Sequence, residues 1–303
     1  MRSLSCLTCL LALACNGNIG EPPGSDDPDR PGYDPVDARF ETRVWRLSPL
    51  HYEAEMQRLF GDGVEVASIP EGAPEHHLTD IAANQRVDVG NAGLFAESAR
   101  SVASWLRSNP GAMRCGAPGS DACVDEVLAW LPSEAFRRPV TSEERAELRG
   151  LFDALQTEYG YDYAFAGMVR AVLLSPHFLY RTELGDGSSG DIAELTQDEI
   201  ASLLAFALTD QGPDETLRSA GDLTDPDVRE AQARRLMGSS RAMWQRFFWE
   251  WLHMATLESQ GPEVGLSGGM VEQIREEYEA FVGNIVVEER GSLRDLLTAT
   301  HTW

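Results

Sequence analysis

After residue 46, apolar residues recur at three- and four-residue spacing, the period of helices with one buried face. The first run opens at Ser48-Pro49, a capping serine followed by a proline suited to the first helical position. It carries Tyr52, Met56, Leu59 and Phe60 and stops at Gly61. Residues 62–89 read as loop, and helices are expected over 94–106 and 124–136. Pro139 is then expected to halt a helix, and Thr141 with Glu144 forms a capping-box pattern that starts the next. Leu148, Leu151, Phe152 and Leu155 give that helix its buried face; Phe165, Val169, Val172 and Leu173 give the following one its own, before a restart at Ser175-Pro176. A Gly/Ser stretch at 185–190 reads as a linker. Beyond it come a second capping pattern, Thr196 with Glu199, and a face of Ile200, Leu203, Leu204 and Leu208. A helix start at Asp225-Pro226 follows, then the aromatic run Trp244, Phe247, Phe248, Trp251, then the stripe Val271, Ile274, Tyr278, Phe281, Val282, Ile285. No comparable strand alternation appears, so the expected fold is mainly α: two helical units, 40–184 and 191–303, after a disordered tether.

The N-terminal pattern is different. Arg2, an apolar run over 4–14 and the sequence Leu11-Ala12-Leu13-Ala14-Cys15 resemble a bacterial lipoprotein signal. The run is too short to cross a bilayer, so residues 1–14 read as a cleaved signal peptide and Cys15 as the acylated first residue of the mature chain. An ordinary secretory signal with an incidental cysteine is the alternative. Residues 15–39, rich in Pro, Gly and Asp, read as a disordered tether reaching about 25–30 Å as flexible coil. Asn16 is not the aspartate that retains some lipoproteins at the inner membrane, which favours the outer membrane. Removing the signal removes Cys6 and Cys9, leaving Cys115 and Cys123 to form a disulfide outside the cytosol. A metal pair is the lesser alternative, because no histidine lies near them in sequence.

Charge narrows the function classes. The 25 basic residues, all arginine, face 49 acidic ones for a net charge of −24. Absence of lysine excludes a Schiff-base lysine and a P-loop lysine. An acidic surface repels phosphate backbones, so no nucleic-acid partner is expected; the membrane is reached through the lipid anchor, and an envelope protein is the expected partner.

The candidate chemistry is sparse. His177, beside Tyr180 and Arg181, is the one candidate for acid–base or ligand chemistry, with a partly buried structural histidine as the other reading. Arg137 and Arg138 suit a carboxylate or phosphate in forked geometry, or equally the last carbonyls of a helix. His76-His77 resembles half of a metal site but reads as an exposed pair, and the Trp244–Trp251 cluster with His253 suggests a haem or sugar platform but has the spacing of core packing. No metal site, nucleophile elbow or phosphate loop is recognisable, and no cofactor is expected.

Three groups of residues carry a resemblance. They are Arg46-Leu47-Ser48 with Tyr52 and Leu59-Phe60-Gly61; Ala135-Phe136-Arg137-Arg138-Pro139 with Glu144; and residues 174–181, Leu-Ser-Pro-His-Phe-Leu-Tyr-Arg. Together the chain resembles large envelope proteins of planctomycetes and myxobacteria built from serial domains of unknown function, here 1587, 1595 and 1592 in order. The lead-in lacks a Gly-Phe-Asp-Asn segment expected of domain 1587, and no Cys-x-x-Cys-His of haem-carrying relatives is present. Residues 293–303 resemble the start of domain 1588, which 1585 follows in relatives, so the chain is expected to be truncated. The resemblance implies an envelope-anchored binding or assembly module. The alternative is an enzyme or electron-transfer accessory whose site is completed by later domains.

Overall fold

The first helix forms where its caps direct it. In the computed structural model, which describes residues 43–70, 87–187, 194–260, 263 and 265–300, α1 spans Pro49–Phe60. The His51 amide donates to the Ser48 hydroxyl at its start, and Gly61, at φ +94°, ends it. Its buried stripe holds more than the four expected apolar residues: His51 and Glu55 lie on it too. Helix α2, Val89–Ser108, outruns the expected 94–106 because the Asp88 carboxylate caps it early by accepting the Asn91 amide. A 3₁₀ turn, Pro110–Met113, leads into the expected disulfide, Cys115–Cys123, with a Cα–Cα distance of 5.1 Å.

Helix α3, Asp121–Phe136, ends before the expected proline stop. Arg137 adopts a left-handed conformation, φ +58°, and turns the chain out of the helix ahead of Pro139. Both halves of the Thr141–Glu144 capping box are made, starting α4, Ser142–Tyr159. Gly160 joins it to α5, Tyr161–Leu173, whose Phe165, Val169, Val172 and Leu173 are buried as expected. The face expected for α4 is corrected: Phe152 is fully buried, Leu148 and Leu155 are partly so, and Leu151 is exposed. Helix α4 lies on the outside of α3 and α5, so only a narrow strip of it is covered.

Helix α6, Pro176–Leu179, runs directly into β2, Tyr180–Glu183. This strand pairs antiparallel with β1, Arg43–Arg46, in register Arg43 to Glu183 and Arg46 to Tyr180. The ribbon was not foreseen from the sequence. It closes the first core, which runs from Leu47 to Leu179 and takes in Phe206 from the second stretch.

The second stretch opens with α7, Gln197–Thr209, again with its capping box complete. Its expected face is rotated: Ile200, Ala201, Ala205 and Phe206 are buried, Leu204 and Leu208 are partly covered, and Leu203 is exposed. The helix serves two cores, giving Phe206 to the first and Ile200, Ala201 and Ala205 to the second. Short α8, Glu215–Arg218, and α9, Pro226–Met237, complete the second core through Leu217 and Leu236. Helices α10, Arg241–Trp251, α11, Thr256–Gln260, and α12, Gly268–Val282, follow, then a π turn, Gly283–Glu288, and α13, Leu293–Thr298. In the aromatic run, Phe248 and its neighbour Trp249 are buried, Trp244 and Phe247 are partly so, and Trp251 is exposed, which corrects the expectation of a wholly buried cluster.

The described residues are thus mainly α, with one two-stranded sheet, and belong to one compact unit. The signal, Cys15, the tether, His76 and His77 lie outside the described residues, as do 188–190 of the Gly/Ser stretch.

The disulfide closes a short loop against the buried start of α3, where Cys123 is fully covered. A Cys115→Ser/Cys123→Ser variant is expected to lose about 2–3 kcal/mol by the loop-entropy relation. Equilibrium urea unfolding under non-reducing conditions checks this, and equal midpoints for variant and parent would refute it.

Candidate functional site

Arg137, Arg138 and His177 converge on one cleft of about 280 Å³, walled by the end of α3, the α6–β2 corner and the first turns of α7. They converge because Arg137 must leave α3 in the left-handed region, which turns its side chain back under α6. The three residues have different surroundings.

Arg137 is buried, with 3% of its side chain exposed. Its Nη2 donates to three carbonyls, those of His177, Phe178 and Tyr180, at 2.9, 3.0 and 2.8 Å. These include carbonyls at the open end of α6, which the helix itself cannot satisfy. Nη1 lies 3.5 Å from Glu55 Oε2. Burial pushes the guanidinium down to about 10, with Glu55 opposing and Arg58 and Arg181 adding to the fall.

Glu55 has no exposed side-chain surface and was missed in the sequence. Arg58 meets it in a fork, Nε to Oε1 at 2.9 Å and Nη2 to Oε2 at 3.1 Å, and the Gly212 amide donates to Oε1 at 2.6 Å. A Cβ at Gly212 would stand 2.7 Å from that oxygen, so only glycine allows the approach. Burial acts to raise the Glu55 carboxyl, but Arg58, Arg137 and Gly212 together hold it below the usual range. Arg58 also donates to Glu134, whose other oxygen lies 3.3 Å from Arg218. The one available signal was positional: Glu55 sits three residues from Tyr52 and four from Leu59, on the apolar stripe of α1, where a carboxylate requires a cation.

A second polar contact runs alongside. His51 Nε2 lies 3.3 Å from Asp210 Oδ1, and Arg246 Nη2 donates to the same oxygen at 2.6 Å. Burial raises the Asp210 carboxyl and the bonds from His51 and Arg246 outweigh it, holding it low. The Phe206 ring lies among these groups, 5.0 Å from the His51 ring and 4.8 Å from the Arg181 guanidinium.

Arg138 is at the rim. It forks onto Glu144, with bonds of 3.0 and 2.6 Å, while its guanidinium lies 5.7 Å from the Phe136 ring. The Arg138 bond, working against burial and helped by the Thr141 amide, holds Glu144 down to about 2. His177 is half exposed, its Nε2 3.8 Å from Glu144 Oε1 and its ring against Phe136. Opposite them, Glu199 accepts from the amides of Leu184, Gly185 and Thr196. Asp198 beside it has no ion pair or hydrogen bond among the described residues; burial raises its carboxyl, with Arg138 and Arg218 opposing. The cleft therefore offers fixed walls, a half-exposed imidazole and one carboxylate with no direct partner among the described residues. No group of three or more potential ligands that could hold a metal ion occurs among the described residues.

Comparison with known families divides the chain at this cleft. Residues 123–183 match the family model described as Protein of unknown function (DUF1595), and residues 195–303 match that described as Protein of unknown function (DUF1592). The chain carries two serial domains of unknown function. Neither a curated protein nor a solved structure matches it. The DUF1595 segment supplies Arg137, Arg138, His177 and β2, and the DUF1592 segment supplies Asp198, Glu199 and Ser202.

Two outcomes separate the roles of these residues. Arg137→Ala leaves the carbonyls of His177, Phe178 and Tyr180 without their donor, while Glu55 keeps Arg58 and Gly212, and is expected to cost about 3 kcal/mol, as for buried acceptors left unsatisfied. His177→Ala, at a half-exposed site, is expected to stay within about 0.5 kcal/mol of the parent. Chemical unfolding measures both, and a large loss at His177 would make it structural.

The Glu144 carboxyl gives a pH signature. Its folded value, about 2, lies below the ordinary glutamate value of 4.5, so its contribution to stability is complete above about pH 4.5 and is lost as pH falls toward 2. Glu144→Gln retains an oxygen for the Thr141 amide and is expected to flatten the stability curve across that window. Urea unfolding at several acidic pH values tests it; an unchanged slope would be inconsistent with the Arg138–Glu144 pairing.

Proposed function

We propose that this protein is a lipid-anchored module of a bacterial cell envelope that works by binding or assembly, with the α6–β2–α7 cleft as its binding surface. The observation that carries the binding half is the pre-set wall of that cleft. Arg137 is fixed by three carbonyls and Glu199 by three backbone amides before any ligand arrives, so little ordering is left for the bound state. The anchoring half is supported by the sequence around Cys15 and by the Cys115–Cys123 disulfide, which suits an oxidising compartment outside the cytosol. Among the described residues no helix is long and apolar enough to cross a membrane. In this reading, acyl chains on Cys15 provide the attachment, and Asn16 favours the outer membrane. The lead-in that carries Arg46-Leu47-Ser48, Tyr52 and Leu59-Phe60-Gly61 is read as a remnant of domain 1587, and the resemblance to planctomycete and myxobacterial envelope proteins belongs to the same proposal.

A second reading, catalysis with His177 as acid or base, draws on the 3.8 Å approach of His177 to Glu144 beside the cleft. The binding reading is preferred because Arg138 already neutralises Glu144.

Feeding cells an alkynyl palmitate tests the anchor. The wild-type chain is expected to take up the label and sediment with membranes, and Cys15→Ala to lose both. A Cys15→Ala chain that remains labelled or membrane-bound would refute lipidation at this residue.

A further inference from the structure

The β1–β2 ribbon leaves an edge whose geometry identifies what it can accept. The Leu47 amide donates to the Leu179 carbonyl at 2.8 Å, which sets the parity of the ladder. Pairs Trp45–Arg181 and Arg43–Glu183 are then the hydrogen-bonded ones, and Tyr180 and Thr182 turn their N–H and C=O groups away from β1. Those of Tyr180 are used internally: its amide donates to the Pro176 carbonyl, and its carbonyl accepts from Arg137. Beyond the strand, the amides of Leu184 and Gly185 are taken by Glu199. Between these two closed ends stands Thr182, lining the cleft. Neither its outward N–H nor its outward C=O is bonded to a loop or side chain among the described residues.

A donor and an acceptor on one residue, in the plane of a sheet, match the main chain of an extended peptide. The cleft, at about 280 Å³, is too small for a folded element and takes at most a residue or two of an extended segment laid along the edge. The charges nearby select the peptide. Arg138 is forked onto Glu144, and the Arg181 guanidinium lies 5.4 Å from the Trp45 ring and 4.8 Å from the Phe206 ring. Arg137 and Glu199 are committed to the protein's own backbone. Of the two carboxylates lining the cleft, Glu199 is bonded to backbone amides, whereas Asp198 has no ion pair or hydrogen bond among the described residues and feels Arg138 and Arg218 only at longer range, in a chain of net charge −24.

We infer that the outer edge of β2 is a docking edge for an extended basic segment of a partner protein, which pairs with Thr182 and sets a cationic side chain against Asp198. This deepens the binding reading above and rests on it. The partner strand lies parallel or antiparallel to β2, bonded at Thr182 and flanked by His177 at one end and the Glu199 cap at the other.

The test uses the full chain and the five-residue peptide acetyl-Val-Arg-Val-Arg-Val-amide, followed by fluorescence or calorimetry. The same peptide N-methylated at its central residue and an acidic version with Glu for Arg serve as controls. The parent peptide is expected to bind, with N-methylation weakening it about ten-fold, the size of a hydrogen bond in the complex. Thr182→Pro removes the outward N–H while sparing every bond to β1, a position where a strand tolerates proline, and is expected to weaken binding by a similar factor with an unchanged melting temperature. Asp198→Asn is expected to bring the basic and acidic peptides to within about three-fold of each other.

Equal affinity for the parent and N-methylated peptides, or full binding by Thr182→Pro, overturns strand pairing while leaving a binding role for the cleft. Should Thr182→Pro fail to fold, the N-methylated peptide still decides. Self-association of the wild-type chain that displaces the peptide assigns the edge to a second copy and overturns the basic partner. Absence of binding by the basic peptide overturns the inference; the palmitate label on Cys15 tests the anchoring reading separately.

Discussion

A guanidinium and a carboxylate facing each other with 3% and 0% of their side chains exposed constrain everything around them. Removing two charges from water costs several kcal/mol per ion unless close partners surround both. Arg137 and Glu55 meet that demand with Arg58, one turn on from Glu55 in α1, and with distant parts of the chain: the α6 carbonyls, the Tyr180 carbonyl of β2 and the amide of Gly212 beyond α7. Each partner fixes the element that carries it. Such a cluster is weak evidence for high stability, since an apolar replacement of equal shape often does as well. Its effect is on arrangement: α1, the α3 end, the α6–β2 corner and the α7 exit have one mutual placement in which no buried charge is left alone.

The same constraint explains the cleft. Because Arg137 faces inward, Arg138, next in sequence, faces out, and its fork onto Glu144 links the cleft rim to the capping box of α4. On the opposite wall Glu199 does two jobs, closing the capping box of α7 and accepting the amides that follow β2. Both walls are thus built from helix starts and ends. The residues facing the opening, His177, Thr182 and Asp198, are the ones those structural duties leave over.

What could be read from the sequence was local. The caps at Ser48, Thr141, Ser175 and Thr196 needed only their neighbours, and all four start helices. Burial faces needed knowledge of the partner, which is why α4 and α7 turned out differently: one lies at the surface and the other between two cores. The strands were four residues each and paired across more than a hundred positions, so no hairpin signal marked them. For the site, Arg137, Arg138 and His177 stood out one by one, and only the fold brings them to one cleft. The role of Arg137 depended on Glu55, whose position on the α1 stripe was a legible anomaly that periodicity alone passes over.

Phe206 carries a consequence for heredity. It lies in the segment matched to DUF1592, yet its ring completes the core built by the residues before it, close to where Gly212 reaches Glu55. A recombination event that cut the gene between the two matched segments would hand one descendant a hollow core and an under-bonded buried acid, and the other a bare phenylalanine. Side-chain packing therefore places the unit that can be inherited intact across the domain boundary, and two segments that are separable as text are joined as matter.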